Sequence, residues 1–334
     1  MANQQPIDIH SHYFPEAYLK LIGSEGQLFG ARCDLSDPAG PVVTVDYQKA
    51  GPLAAKFTNL QPRLEDMDAQ GVRTQALSLT QPMVYWAGER LSRRLSAEFN
   101  DAVASAHEEY PDRFVGLAML PMQAPALAVA ELERAAGLPG IRGVYMATRI
   151  LERELSHPDF LPVFERIESL GLPIFLHPVN VIGMERLRRQ FYLNNLLGNP
   201  FDSAVAAANL IFGGVLDRFP SLTFCLPHAG GAFPYLVGRL EHGWRVRPEC
   251  RHLPQGPASY LRRFYYDTLS HSSEALSYLI DLVGSDRVMV GSDYCFDMGC
   301  ERPVEVVTGL ENLSAEDTAN VLCENARRLL RLDT

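Results

Sequence analysis

Short apolar runs alternate with longer amphipathic stretches along most of this chain. The runs fall at 7–9, 74–79, 114–120, 141–146, 173–176, 222–226, 264–266 and 288–290. Most are only about 4 to 8 residues long, too short for buried helices and continuous enough for strands covered on both faces. Between them, residues 90–109 place Leu91, Leu95, Phe99, Val103 and Ala106 at helical spacing, and 124–136, 160–170, 203–218 and 274–282 behave alike. Stop signals follow several of these stretches: Gly71 after Gln70, Gly171 before Leu172-Pro173, and Pro220 after Phe219. Eight strands with helical connections predict an α/β fold, a (β/α)8 barrel. The competing reading is an open Rossmann-like sheet, but no GxGxxG follows an early strand, and Gly230-Gly231 comes late, after a histidine. Residues from about 23 to 59 break the alternation. They read as a small insertion after strand one, with a β-element around 41–47, inside a single domain spanning 1–334.

Composition narrows the function classes. Thirty Lys and Arg against 40 Asp and Glu leave a net charge of −10 over 334 residues. This argues against a protein whose task is holding nucleic acid or an anionic membrane surface. A small anionic substrate stays compatible, because a pocket needs only one or two local cations. No apolar run approaches the roughly 18 residues of a membrane span, and MANQQPIDIH lacks the basic start and apolar stretch of a secretory signal. The six cysteines (33, 225, 250, 295, 300, 323) form no CxxC pair or zinc-finger spacing and read as reduced thiols of a cytoplasmic protein.

The candidate chemistry lies where strands end. IDIHSH places His10 and His12 two apart, hence on one face of strand one. A lone HxH is weak, and a satisfied polar strand end explains it equally well. PIFLHP then ends strand five in His177, LTFCLPH ends strand six in His228, and VMVGSD ends strand eight in Asp293. In a barrel all these termini share one rim, where active sites of the fold are built. Structural need does not account for five metal-type side chains on four strand ends. His10, His12, His177 and Asp293 supply three nitrogens and one oxygen, a donor set suited to Zn²⁺ that Mn²⁺ would also accept. His228 is then free to act as general base or acid on a metal-bound water. His107, His157, His242 and His252 read as structural. His271, just beyond strand seven, could reach the rim, and Tyr85 and Trp86 either wall the pocket or only pack their loop.

Longer stretches carry a family resemblance. IDIHSHYFP (7–15), RLEDMDAQGV (63–72), LSLTQPMVYWA (77–87), RFVGLAMLPMQAP (113–125), FLHP (175–178), FGGVLDRFP (212–220), PHAGGAFPYLVGRLEHG (227–243) and VGSDY (290–294) together resemble the decarboxylase-like branch of the amidohydrolase superfamily. The resemblance implies a zinc-dependent, non-oxidative decarboxylase of a small aromatic or muconate-type carboxylic acid. It matches His10, His12, His177 and Asp293 to metal ligands and His228 to the base, with Asp293 able to shuttle a proton. Arg239 matches an arginine that reaches the partner subunit's site and holds a substrate carboxylate, which implies a homodimer. A bidentate guanidinium suits that role. Two features depart from the pattern. A second substrate-binding arginine has no counterpart in KAGPLAAKFTNLQPRLEDMD before Arg63, which belongs to a helix, leaving Lys49 or Lys56 as point-charge substitutes. Cys295-Phe296-Asp297 replaces a proline-flanked phenylalanine, and Asn194 and Asn195 make part of the pocket polar. Two further readings of the same centre are a metal-dependent hydrolase or hydratase and a non-catalytic metal-binding protein.

Overall fold

Strands buried on both faces need cover inside and out, and the eight apolar runs find it by closing around one another. The computed structural model describes residues 5–46 and 48–332. Its main sheet is parallel throughout, in chain order: β1 (Ile7–His12), β2 (Thr74–Ser78), β3 (Phe114–Met119), β4 (Ile141–Ala147), β5 (Ile174–His177), β6 (Phe224–Leu226), β7 (Phe264–Asp267) and β8 (Val288–Met289). The two edges meet where Ile9 N donates to Val290 O at 2.9 Å and His12 N to Tyr294 O at 2.7 Å. The architecture is therefore the expected (β/α)8 barrel, nearly closed, with helices in the connections.

The connecting helices follow the predicted pattern with informative differences. Helix Glu89–Glu109 buries Leu91, Leu95, Phe99 and Val103 against the barrel. Helices Leu60–Gln70 and Leu161–Leu170 both end on a glycine in the left-handed region, Gly71 at φ 72° and Gly171 at φ 61°. The single helix expected over 203–218 is instead two, Asn199–Phe212 and Val215–Arg218. Gly214, at φ 70°, interrupts the helical hydrogen bonding between them.

Between β1 and β2 lie helix Glu16–Glu25 and a three-stranded antiparallel sheet, Ala31–Asp34, Val42–Val45 and Gln48–Ala50. The β-element expected around 41–47 corresponds to the middle strand, while Tyr47 lies outside the described residues. No helix among the described residues is long and apolar enough to cross a membrane.

Candidate metal centre and active site

Alternation along β1 points His10 and His12 to the same side, and their rings lie 5.0 Å apart, centre to centre. The His177 ring, at the end of β5, is 5.0 Å from that of His12 and 5.4 Å from that of His10. Asp293 lies beyond the last residue of β8, with φ 55° aiming its carboxylate back over the barrel. Its Oδ1 is 2.8 Å from His12 Nε2 and 3.5 Å from His10 Nε2. One ligand atom from each of these four buried residues lies within 4.8 Å of the others. The fold thus brings together the four residues read as metal ligands.

The outer nitrogens test whether a cation fits. His10 Nδ1 is 2.7 Å from Asp267 Oδ2, His12 Nδ1 is 3.1 Å from Ser78 Oγ, and His177 Nδ1 is 3.0 Å from the Pro178 carbonyl. The Ser78 hydroxyl donates to the Ser11 carbonyl at 2.8 Å, leaving its lone pair to accept from His12. Each imidazole can thus donate through Nδ1 and turn the Nε2 lone pair inward, the arrangement metal-binding histidines use. His10 Nε2 is buried without a hydrogen-bond partner. Three inward nitrogens and a carboxylate oxygen fit a divalent ion.

Electrostatics follow from burial and crowding. Burial alone would lower His10, but its hydrogen bond to Asp267 and the charges of Asp293, Asp267 and Asp8 raise it to about 9. Burial lowers His12 to about 4 despite Asp293, and burial with three neighbouring histidines holds His177 well below its usual value. Burial opposes ionisation of Asp293, yet His12, His228 and His10 keep it well below the carboxylate range. Without an ion the centre therefore holds carboxylate charge and a protonated His10 beside neutral His12 and His177.

His228 occupies the expected rim in an unexpected conformation. Pro227 follows β6, and His228 and Ala229 then both adopt φ 55°, a left-handed stretch costly for side-chain-bearing residues. His228 Nε2 lies 3.9 Å from Asp293 Oδ2, an ion-pair distance. Two cavities, each of about 370 Å³, meet here and share Asn195, Asn199 and Asp293. The first is lined by His228, Leu269, Leu279 and His271, which therefore does reach the pocket. The second is lined by His177, Thr80, Asn194, Phe296, Asp297 and Lys49.

Other expected residues fall elsewhere. Lys56 is 3.6 Å from Asp66 and sits over the Tyr294 ring, outside both cavities. Arg239, on helix Phe233–Val246, is exposed and lines neither. Trp86 Nε1 donates to Met83 O within its own loop, while the Tyr85 hydroxyl accepts from Ala147 N at the end of β4; both border a separate cleft and neither lines the two cavities. Sequence reasoning passed over Asp267, although FYYD ends β7 in a carboxylate just as neighbouring strands end in histidine. It also passed over Ser78, which a hydroxyl at a strand end does not reveal.

Comparison with known proteins follows the same line. Residues 7–332 match the family model described as Amidohydrolase. The chain belongs to the amidohydrolase family. Over 330 residues it is 32% identical to 2-amino-3-carboxymuconate-6-semialdehyde decarboxylase of Dictyostelium discoideum, covering 98% of this chain and 92% of the relative. It is 30% identical to gamma-resorcylate decarboxylase of Rhizobium sp. (strain MTP-10005), covering 90% and 94%. The crystal structure of 5-carboxyvanillate decarboxylase from Sphingomonas paucimobilis superposes with a TM-score of 0.85 at 26% identity, covering 99% of this chain and 100% of that one. These amidohydrolase-family relatives are named decarboxylases, which does not favour the hydrolase or hydratase reading.

Proposed function

We propose that the protein is a metal-dependent, non-oxidative decarboxylase of a small aromatic or muconate-type carboxylic acid. The observation that carries this reading is the buried His10–His12–His177–Asp293 set with His228 beside it, in a chain aligned from end to end with decarboxylases. His10, His12, His177 and Asp293 are its metal ligands, and the three-nitrogen, one-oxygen set favours Zn²⁺. When bound, the ion supplies Lewis acidity that polarises a substrate oxygen and lowers the pKa of water.

The chain's own groups handle the proton. Asp293 Oδ1 faces His12 while Oδ2 faces His228 Nε2 at 3.9 Å, so one carboxylate bridges the ligand side and the acid–base side. A proton held by this pair is delivered to the carbon that bears the substrate carboxylate. The new C–H bond breaks conjugation. The C–C electron pair then returns to the substrate as CO₂ departs, so a proton replaces CO₂. The metal-ligand side chains are themselves buried, which limits bulk water at the centre.

Lys49, rather than Lys56, takes the place of the second arginine, since Lys49 borders the cavity that contains His177. Arg239 is exposed and lines neither cavity of its own chain, which accords with service across a homodimer interface. Exposed Tyr235 on the same helix, and exposed Phe201 on helix Asn199–Phe212, which packs against it, offer apolar surface for such contact. A cytoplasmic setting is supported by six free cysteines. The match across 7–332 supports a single domain, in which about 23–59 is read as an insertion between β1 and β2.

The test is metal analysis of the purified protein joined to a CO₂-release screen over ortho-hydroxy and ortho-amino aromatic acids and their ring-cleavage products. Stoichiometric metal and metal-dependent CO₂ release are expected. Normal turnover after the metal is stripped would refute the reading, and so would solvent oxygen entering the product without CO₂ loss.

A further inference from the structure

Asp267, the last residue of β7, is fully buried, and its two oxygens accept four hydrogen bonds. Oδ2 takes His10 Nδ1 at 2.7 Å and the His228 backbone N–H at 2.9 Å. Oδ1 takes the N–H groups of Ala229 at 2.7 Å and Leu269 at 3.0 Å. Two successive amides thus reach the two oxygens of one carboxylate, in the turn that presents His228. One side chain therefore touches the first residue of the HxH pair, on β1 one strand beyond β8, and holds the turn of the acid–base histidine that follows the adjacent β6.

A second observation shows that the packing is built around this contact. A Cβ placed on Gly291 would lie 2.6 Å from Asp267 Cβ and 3.0 Å from His10 Cβ. Only a residue without a side chain lets the segment leaving β8 pass while Asp267 and His10 stay together.

We propose that Asp267 is a positioning residue that sets the tautomer of His10 for metal binding and locks the His228 turn in register with it. The inference rests on the metal centre described above. With Nδ1–H committed to Asp267, His10 Nε2 carries its lone pair inward. Because the same oxygen also receives the His228 amide, the ligand and the acid–base group cannot move apart independently.

An asparagine at 267 shows why the charge and both oxygens matter. Its NH₂ must face either His10 and the His228 amide, or the Ala229 and Leu269 amides. Each orientation sets donor against donor. The first drives His10 to the opposite tautomer, and the second opens the turn.

The experiment compares wild type with Asp267→Asn by chelator competition for Zn²⁺, by the visible spectrum of Co²⁺-loaded protein, and by hydrogen exchange of the 227–232 peptide. The variant is expected to bind Zn²⁺ about 10- to 100-fold more weakly, with a changed Co²⁺ band and faster exchange at 228 and 229. A merely structural role would leave the Co²⁺ band unchanged. Wild-type affinity, spectrum and exchange in the variant would overturn the inference alone. A wild type that takes up no Zn²⁺ would overturn the metal centre and this inference with it. If Asp267→Asn does not fold, Gly291→Ala carries the test, because its methyl wedges Asp267 from His10. Wild-type Zn²⁺ affinity in that variant would likewise overturn the proposal.

Discussion

At the scale of single residues, His228 handles protons without ligating, while Asp293 does both, and substitutions should expose the difference. His228 touches no ligand atom at bonding distance, whereas Asp293 lies among them. His228→Ala should keep its metal and lose about 10²- to 10⁴-fold in kcat, the usual weight of a general acid–base. Asp293→Asn should lose both metal and activity. Metal content beside turnover separates the two, and equal metal loss in both variants would count against the assignment. His10 adds a pH signature. In the ion-free protein its neighbours raise it to about 9, so it is protonated at neutral pH. Ligation needs the free Nε2 lone pair, so uptake must expel that proton. Zn²⁺ affinity should therefore climb as pH rises from 6 toward 9, and about one proton should be released per ion near pH 7.5 in weakly buffered solution.

At the scale of elements, the small antiparallel sheet between β1 and β2 matters because its last strand, Gln48–Ala50, carries Lys49 to the cavity. Lys56, in the short helix Ala55–Thr58, is instead drawn to Asp66 and Tyr294. Sequence distance could not choose between two lysines seven residues apart, since strand and helix send them to different surroundings. Lys49→Met should raise KM at least about 10-fold, as loss of a charge-assisted contact does, and leave kcat within a few-fold. Lys56→Met should alter neither. Steady-state kinetics on an acid found in the CO₂ screen decides this, and a larger effect at Lys56 would reverse the assignment.

At the scale of the whole molecule, an acidic protein must concentrate positive field where a carboxylate binds. The net charge of −10 leaves that task to the metal centre and to a few local cations. Lys49 is the only lysine or arginine bordering either half of the cavity among the described residues. Arg239 would add a second cation from a partner subunit. Mixing inactive Arg239→Ala with inactive His228→Ala should restore partial activity, because a mixed dimer holds one site with both groups intact. No recovery despite proven subunit exchange would leave Arg239 outside the site.

Much of this was legible in the chain because it follows from periodicity and from strand polarity. Eight buried runs with helical spacers have few ways to hide both faces, and the barrel is one that puts every strand's carboxyl end on a single rim. Histidines and an aspartate at those ends could thus be grouped from sequence alone, hundreds of residues apart. What tertiary structure decided depends on contacts that no local pattern encodes. Asp267 looked like one strand-end acid among many until folding set it against His10 and the His228 turn. Gly214 split a helix that periodicity joined, and the left-handed backbone at His228 and Asp293 turned their side chains toward each other. Residue types and spacing determined which groups reach the rim; packing between strands determined which of them meet, because distances of 3 Å are set by the neighbours a side chain finds.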